Sequence, residues 1–326
     1  MDGCVWTHTE RLNPLVPEAK RSLLKEGWTL SGMSVAALRT GFKMGNFRLD
    51  AGHSLMDTWD ITLISHGHAD HIFSVASLAL ANQGAEHVVY APATALEGLE
   101  LHVRSLVMAT GRRDLDREGT LGRQIRWSPA TPGEHITYIP SSRQRYDIEV
   151  FPLTHSIDTV GYGVSTVLKV ANPELVSFIE RYSSMRQFMR TKEIPVDVNE
   201  TDRARLEILL TEPLQADRAF PQFCYLTDTS IVAIGLHEER ISAYPIIIVE
   251  CTFYAPEDIE HAHQKKHIHW QDLLPYIHKH TDSLWVLIHY SQRHLGLSDI
   301  QSYTGPLPPH VLIWAKDPVC SLNASS

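Results

Sequence analysis

Within Ile64-Ser65-His66-Gly67-His68-Ala69-Asp70-His71, three imidazoles and one carboxylate fall in six residues. Imidazole and carboxylate are borderline-to-hard donors that suit Zn²⁺, with Mn²⁺ or Fe as other occupants. The chain holds 19 histidines, so a His-rich polar loop is the plainer reading. The ordered spacing H-x-H-x-D-H argues against it. The alternation Ile61-Thr62-Leu63-Ile64 just upstream reads as a strand. The run therefore leaves a strand end, where a turn can fold its side chains toward one point.

Other metal-type residues stand in the same kind of place. His155 follows the strand expected over Tyr146–Leu153. Asp228 closes Cys224-Tyr225-Leu226-Thr227, Glu250 closes Ile246-Ile247-Ile248-Val249, and His289 closes Leu284-Trp285-Val286-Leu287-Ile288. The last two runs are continuously apolar, as strands buried on both faces are. Asp50, at the end of Phe47-Arg48-Leu49, is either a turn carboxylate or a supporting group near a metal.

These positions need a scaffold of strands. Residues 1–30 read as a leader with a helical piece over Pro17–Glu26, and Ser31-Gly32-Met33-Ser34 opens a strand-rich region. Helices are expected over Ile72–Gln83 and Ala93–Val107, with strands at His87–Tyr90, His135–Ile139, Val160–Leu168 and Val311–Trp314. The stretch holding Arg112, Arg113, Arg117, Arg123 and Arg126 is a solvated loop or a phosphate-binding surface. Residues 173–210 read as a helical insertion: a cap over the site, a dimer contact or a plain surface helix pair. Strands and helices alternate throughout without a low-complexity linker or fixed-period repeat, so 1–326 is expected to be one α/β unit.

At 326 residues, 43% hydrophobic and 21% charged, the chain has the composition of a soluble globular protein. No run of 18 apolar residues spans a membrane, and Met1–Glu10 has no secretory apolar core. Cys4, Cys224, Cys251 and Cys320 form no C-x-x-C pair, as befits a reducing compartment; a cytoplasmic protein is expected. The formal net charge of −9 argues against non-specific binding to long nucleic acid.

In ligand order, His66-x-His68-x-Asp70-His71, His155, Asp228 and His289, the chain resembles the metallo-β-lactamase superfamily, and within it most closely the tRNase Z (ribonuclease Z) group. Glu250-Cys251-Thr252-Phe253 resembles that group's Glu-Ala-Thr-Phe, and His289-Tyr290-Ser291-Gln292-Arg293 its His-Phe-Ser-Gln-Arg. His267-Ile268-His269 stands 22 residues before His289, where the group carries His-Ser-Thr. The resemblance covers about Ser31 to Leu295. It departs from the group at Thr227-Asp228-Thr229 (Gly-Asp-Thr in the family) and at Val249, which replaces a His. The Pro-x-Lys-x-Arg-Asn loop and the Gly-Pro arm that contact tRNA are not recognisable.

The resemblance implies a four-layer αββα sandwich with a helical insertion. It implies one ion on His66, His68 and His155, a second on Asp70, His71 and His289, and Asp228 bridging them. Seven ligands for two divalent ions leave positions open for water and substrate, as in catalytic sites. Asp70 would also accept the attacking water's proton, through a metal-bound hydroxide. His267 is the candidate acid, Glu250 its orienting partner and His269 the fallback. Arg293 contacts substrate phosphate or holds a neighbouring carboxylate. The histidines 261, 263, 267 and 269 could instead form a separate metal site.

Three functions follow: a phosphodiesterase of the ribonuclease Z kind acting on RNA, a metallohydrolase of small substrates (cyclic nucleotide, other small phosphodiester, lactone or thioester), and a non-catalytic metal-binding interaction module. The family is commonly homodimeric.

Overall fold

The computed structural model of the chain describes residues 8–53, 61–76, 87–109, 125–142, 144–182, 191, 193–211, 215–294 and 296–315. Short β-branched and aromatic runs build its strands. β1 (His8–Arg11), β2 (Thr29–Val35), β3 (Arg39–Met44) and β4 (Phe47–Leu49) pair antiparallel. β5 (Ile61–Leu63), β6 (His87–Ala91) and β7 (Ile125–Pro129) then join in parallel. Parallel neighbours need crossovers, and here these carry α2 (Ala69–Ile72) and α3 (Ala93–Ala109), after the single turn α1 (Glu18–Arg21).

The second sheet repeats the plan. β8 (His135–Ser141), β9 (Gln144–Leu153), β10 (Thr159–Ala171) and β11 (Gln215–Leu226) are antiparallel. β12 (Ile246–Glu250), β13 (Leu284–Ile288) and β14 (Val311–Ile313) follow in parallel. Among the described residues both sheets are seven-stranded, with strands in sequence order.

The two sheets face each other across one apolar layer. Phe42, Phe47 and Leu63 from the first meet Ile148, Tyr162, Phe223, Ile248 and Val286 from the second. On the outer face of the first sheet, Leu99, Val103 and Val107 of α3 cover Val89 and Ile125. The outer face of the second is covered by α6 (Ile231–Leu236), α7 (Glu238–Ile241), α9 (Trp270–Lys279) and α10 (Leu297–Thr304), through Ile234, Ile241, Leu273, Ile277 and Ile300. β12 shows why its run is continuously apolar: Ile246 and Ile248 face the inner layer, Ile247 and Val249 the outer helices. This is the expected four-layer αββα sandwich.

Several expectations need correction. The supposed leader contains β1, which pairs His8 with Gly32 at the sheet edge. The helix expected over Pro17–Glu26 is only the turn Glu18–Arg21. Helix α2 starts earlier than expected, at Ala69, and breaks into a turn at 73–75; from 77 the expected helix lies outside the described residues. So do Arg112, Arg113, Arg117 and Arg123, while Arg126 sits in β7.

The insertion is not a cap. α4 (Pro173–Arg181) and α5 (Glu200–Thr211) pack on each other through Leu175, Phe178, Leu206 and Leu209. They sit at the tip of the long β10–β11 ribbon, whose last pair is Ala171 with Gln215. Asp228 and His155 lie beyond the opposite end of that ribbon. At ~3.3 Å per residue, β10 carries the helix pair about 40 Å from them. Among the described residues no helix is long and apolar enough to cross a membrane.

Candidate metal centre and cleft

Parallel strands end on one edge, and ligands of open α/β sheets collect outside such carboxyl ends. Here the loops after β4, β5, β11, β12 and β13, with the β9–β10 loop, bring every expected ligand together. His66 Nε2 and His155 Nε2 lie 3.0 and 3.3 Å from His68 Nδ1. Asp228 Oδ2 is 3.6 Å from His66 Nε2 and 3.7 Å from His155 Nε2. In a second set, His71 Nε2 and His289 Nε2 are 3.4 Å apart, each 3.5 Å from Asp70 Oδ2. Asp228 Oδ1 stands 3.2 and 3.1 Å from the same two nitrogens. One carboxylate thus offers an oxygen to each set.

These spacings test the fit to a metal. Ligand bonds of ~2.0–2.1 Å at tetrahedral angles place neighbouring donor atoms ~3.4 Å apart. Burial, then the nearby His71, lowers the His66 pKa well below its usual value, which keeps a neutral, ligating ring. Burial raises the Asp228 pKa, but His289, His71 and His66 overcome it and hold the carboxylate ionised. The donor set fits two divalent ions.

The remaining ring nitrogens are largely fixed, as metal-bound histidines require. His71 Nδ1 meets Asp50 Oδ2 at 2.8 Å, His66 Nδ1 meets Ser65 Oγ at 2.9 Å, and His289 Nδ1 meets Thr252 Oγ1 at 3.1 Å. Buried Asp50 also accepts from Ser65 N (2.7 Å) and Tyr225 OH (2.7 Å). It is therefore a supporting group rather than a turn carboxylate alone. His155 Nδ1 is buried without a partner among the described residues.

Local backbone is bent to aim these groups. Asp50, Asp228 and His289, at or just past the ends of β4, β11 and β13, have φ of 56°, 39° and 65°. Non-glycine residues there are uncommon, and such strain collects at functional sites. Gly52 lets the β4 loop press against α2: a Cβ on it would meet the Asp70 carbonyl oxygen at 1.5 Å. That loop holds α2 through Ala51 N to His71 O (2.6 Å).

Glu250 is fully buried and collects donors. Thr229 N donates to it at 2.6 Å, Ile268 N at 3.2 Å and Thr252 Oγ1 closes the set. His267 Nδ1 meets its Oε1 at 2.8 Å. Burial lowers the His267 pKa, but the adjacent Glu250 carboxylate overcomes this and pushes it up to about 9. Its ring lies 4.9 Å from that of His155 and 5.5 Å from that of His289. His267 also belongs to a donor group with Asp228 and His289.

The donor sets open into a cleft of about 900 Å³, lined by Asp70, His155, Asp228, His267, Lys266 and Arg293 among others. One residue expected at the substrate is placed differently. His269 is fully buried and absent from the cleft: Nδ1 accepts from Gln271 N to cap α9, and Nε2 meets Ala255 O at 2.9 Å. Both its nitrogens are engaged, so the substrate-contact and fallback-acid roles are withdrawn. Arg293 lines the cleft and holds a neighbouring carboxylate, Asp258 Oδ1 at 2.6 Å, the second of its two expected roles, and lies over the Phe253 ring.

The histidines 261, 263, 267 and 269 do not converge. They face Arg293, Asp272, Glu250 and Ala255 respectively. α8 (Ile259–Lys265) carries only His261 and His263, while His267 follows its cap and His269 caps α9. Sequence reasoning missed Lys266, whose Nζ donates to His155 O at 3.0 Å, and Ala37, whose N–H donates to Asp70 Oδ2 at 2.9 Å. The paired Lys265-Lys266 before His267 was a readable signal; a backbone donor such as Ala37 leaves none.

No family model matches the chain, and no curated protein does. Solved structures similar to it include human tRNase Z, short form, at 14% identity and TM-score 0.48, covering 88% of this chain and 95% of that one. A diphosphatase from the PhnP family shares 12% identity at TM-score 0.47, covering 90% and 82%. The metallo-β-lactamase fold protein YhfI from Bacillus subtilis shares 12% at 0.47, covering 88% and 95%.

Proposed function

We propose that the chain is a dinuclear metal-dependent phosphodiesterase of the ribonuclease Z kind, with RNA as substrate. The observation that carries the reading is the Glu250–His267 pair, set in the same cleft as two donor sets that both face Asp228. His66, His68, His155 and Asp228 would hold one divalent ion, and Asp70, His71, His289 and Asp228 the other. Bound there, such ions polarise a phosphoryl oxygen and acidify water. Zinc suits the ligands, with manganese or iron as alternatives.

The chain's own groups move the protons. Asp70 takes the proton of the attacking water, and Ala37 N–H keeps its carboxylate oriented. Glu250 holds His267 by Nδ1 and favours the protonated ring. His267 gives a proton to the departing oxygen, so the products are a phosphate monoester and an alcohol.

A small phosphodiester is the second reading, because a cleft of about 900 Å³ lies within the size range of small-molecule sites. The test combines metal analysis of the purified protein with three substrates: bis-p-nitrophenyl phosphate, a precursor tRNA and a lactone. Metal-dependent cleavage of the first two supports the proposal. Cleavage of the small diester alone favours the second reading, and turnover of the lactone with neither diester overturns both.

A further inference from the structure

We infer that Lys265 and Lys266 form an anion subsite on the cleft wall, and that the substrate carries a second phosphate beside the scissile one. The inference rests on the phosphodiesterase reading above and names the substrate class that the site selects. Both lysines line the cleft. Lys20 and Lys279 elsewhere pair with Asp282 and Glu238 at 3.0 and 2.8 Å. Lys265 and Lys266 have no such carboxylate among the described residues. The cleft's own carboxylates, Asp70 and Asp228, face the imidazoles. This wall is therefore cationic in a chain of net charge −9.

Lys266 is the second observation. It caps α8 in the left-handed conformation, φ 57° and ψ 42°, where glycine or asparagine is the easy residue. A lysine at a helix end is favoured by the helix dipole, which accounts for Lys265 but not for a bulky residue in the strained position. The bend directs the Lys266 ammonium to the His155 carbonyl, 3.0 Å away. That carbonyl belongs to a residue whose imidazole is in the first donor set. One of three ammonium donors is used there, leaving two for a ligand in the cleft that Lys266 lines. A phosphate flanking the scissile diester would meet them.

The test uses the metal-loaded protein and two substrates, thymidine 5′-(p-nitrophenyl phosphate) and its 3′-phosphorylated counterpart. The expected result is a kcat/KM preference for the 3′-phosphorylated compound. Lys265→Ala, Lys266→Gln and the double variant should each shrink that preference, by about tenfold in the double, the weight of a charge-assisted hydrogen bond. Added salt should shrink the wild-type preference too. Calorimetric binding of thymidine 3′,5′-bisphosphate against thymidine 5′-monophosphate gives a readout free of turnover. No preference in wild type, or one the double variant keeps, overturns the subsite. If neither ester is cleaved, the phosphodiesterase reading fails, and the subsite is then judged on the calorimetry alone.

Discussion

Replacing His267 by alanine tests the proton-donor assignment most directly. Its Nδ1 is committed to Glu250 at 2.8 Å, leaving one nitrogen to serve a departing oxygen. Lys266, on the same cleft wall, is held at the His155 carbonyl. A positioned general acid contributes about 10²–10⁴-fold, or roughly 3–5 kcal/mol of barrier at 1.36 kcal/mol per factor of ten. The loss must depend on the leaving group. A dinucleotide, which expels an alkoxide, should lose nearly all of that factor, whereas bis-p-nitrophenyl phosphate expels a stable phenolate and should lose little. The fold should survive, because Glu250 keeps Thr229 N, Ile268 N and Thr252 Oγ1 as donors. Metal content and thermal midpoint are measured on the same preparation. Equal losses on both substrates with both ions retained would refute the assignment, and loss of an ion would make His267 a ligand instead.

Asp50→Asn keeps a residue that tolerates the left-handed backbone (φ 56°) but removes the charge beside His71 Nδ1. Metal affinity should fall about 10–100-fold, read by competition with a chromophoric chelator; unchanged affinity would contradict the supporting role. His269→Ala should lower stability by about 1–2 kcal/mol through the lost cap of α9 and the unpaired Ala255 carbonyl. Urea unfolding shows this, and KM for a small diester should stay constant. Replacing residues 173–211 by a short turn should leave metal content and small-diester turnover intact, because the ribbon holds these helices about 40 Å from the ligands. A collapse of turnover in a folded variant would show that they reach the cleft after all.

Much of the candidate site was legible because metal-type side chains advertise themselves. Imidazole and carboxylate have few other reasons to stand in an ordered H-x-H-x-D-H run, or one each past the ends of buried strands. The strands were legible for a similar reason: β12 and β13 must be apolar on both faces, since each lies between the inner layer and the outer helices. Period and composition faded where an element is short or at an edge. β1 has two half-exposed and two exposed residues and α2 a single turn, and in both the pattern comes from tertiary neighbours rather than from local propensity.

His267 and His269 mark the limit most plainly. Two residues apart in one polar run, both are candidates on paper, with His267 first and His269 the fallback. The left-handed turn at Lys266 and the start of α9 send one into the cleft against Glu250 and bury the other as a cap. Residue type and order alone determined which side chains could bind metal and which strands would carry them. Only the folded chain decided that Asp50 steadies His71, that His269 is buried as a cap, and that the helical insertion stands at the far end of its ribbon. Those outcomes depend on backbone bends and on contacts between separate elements, which no local pattern encodes.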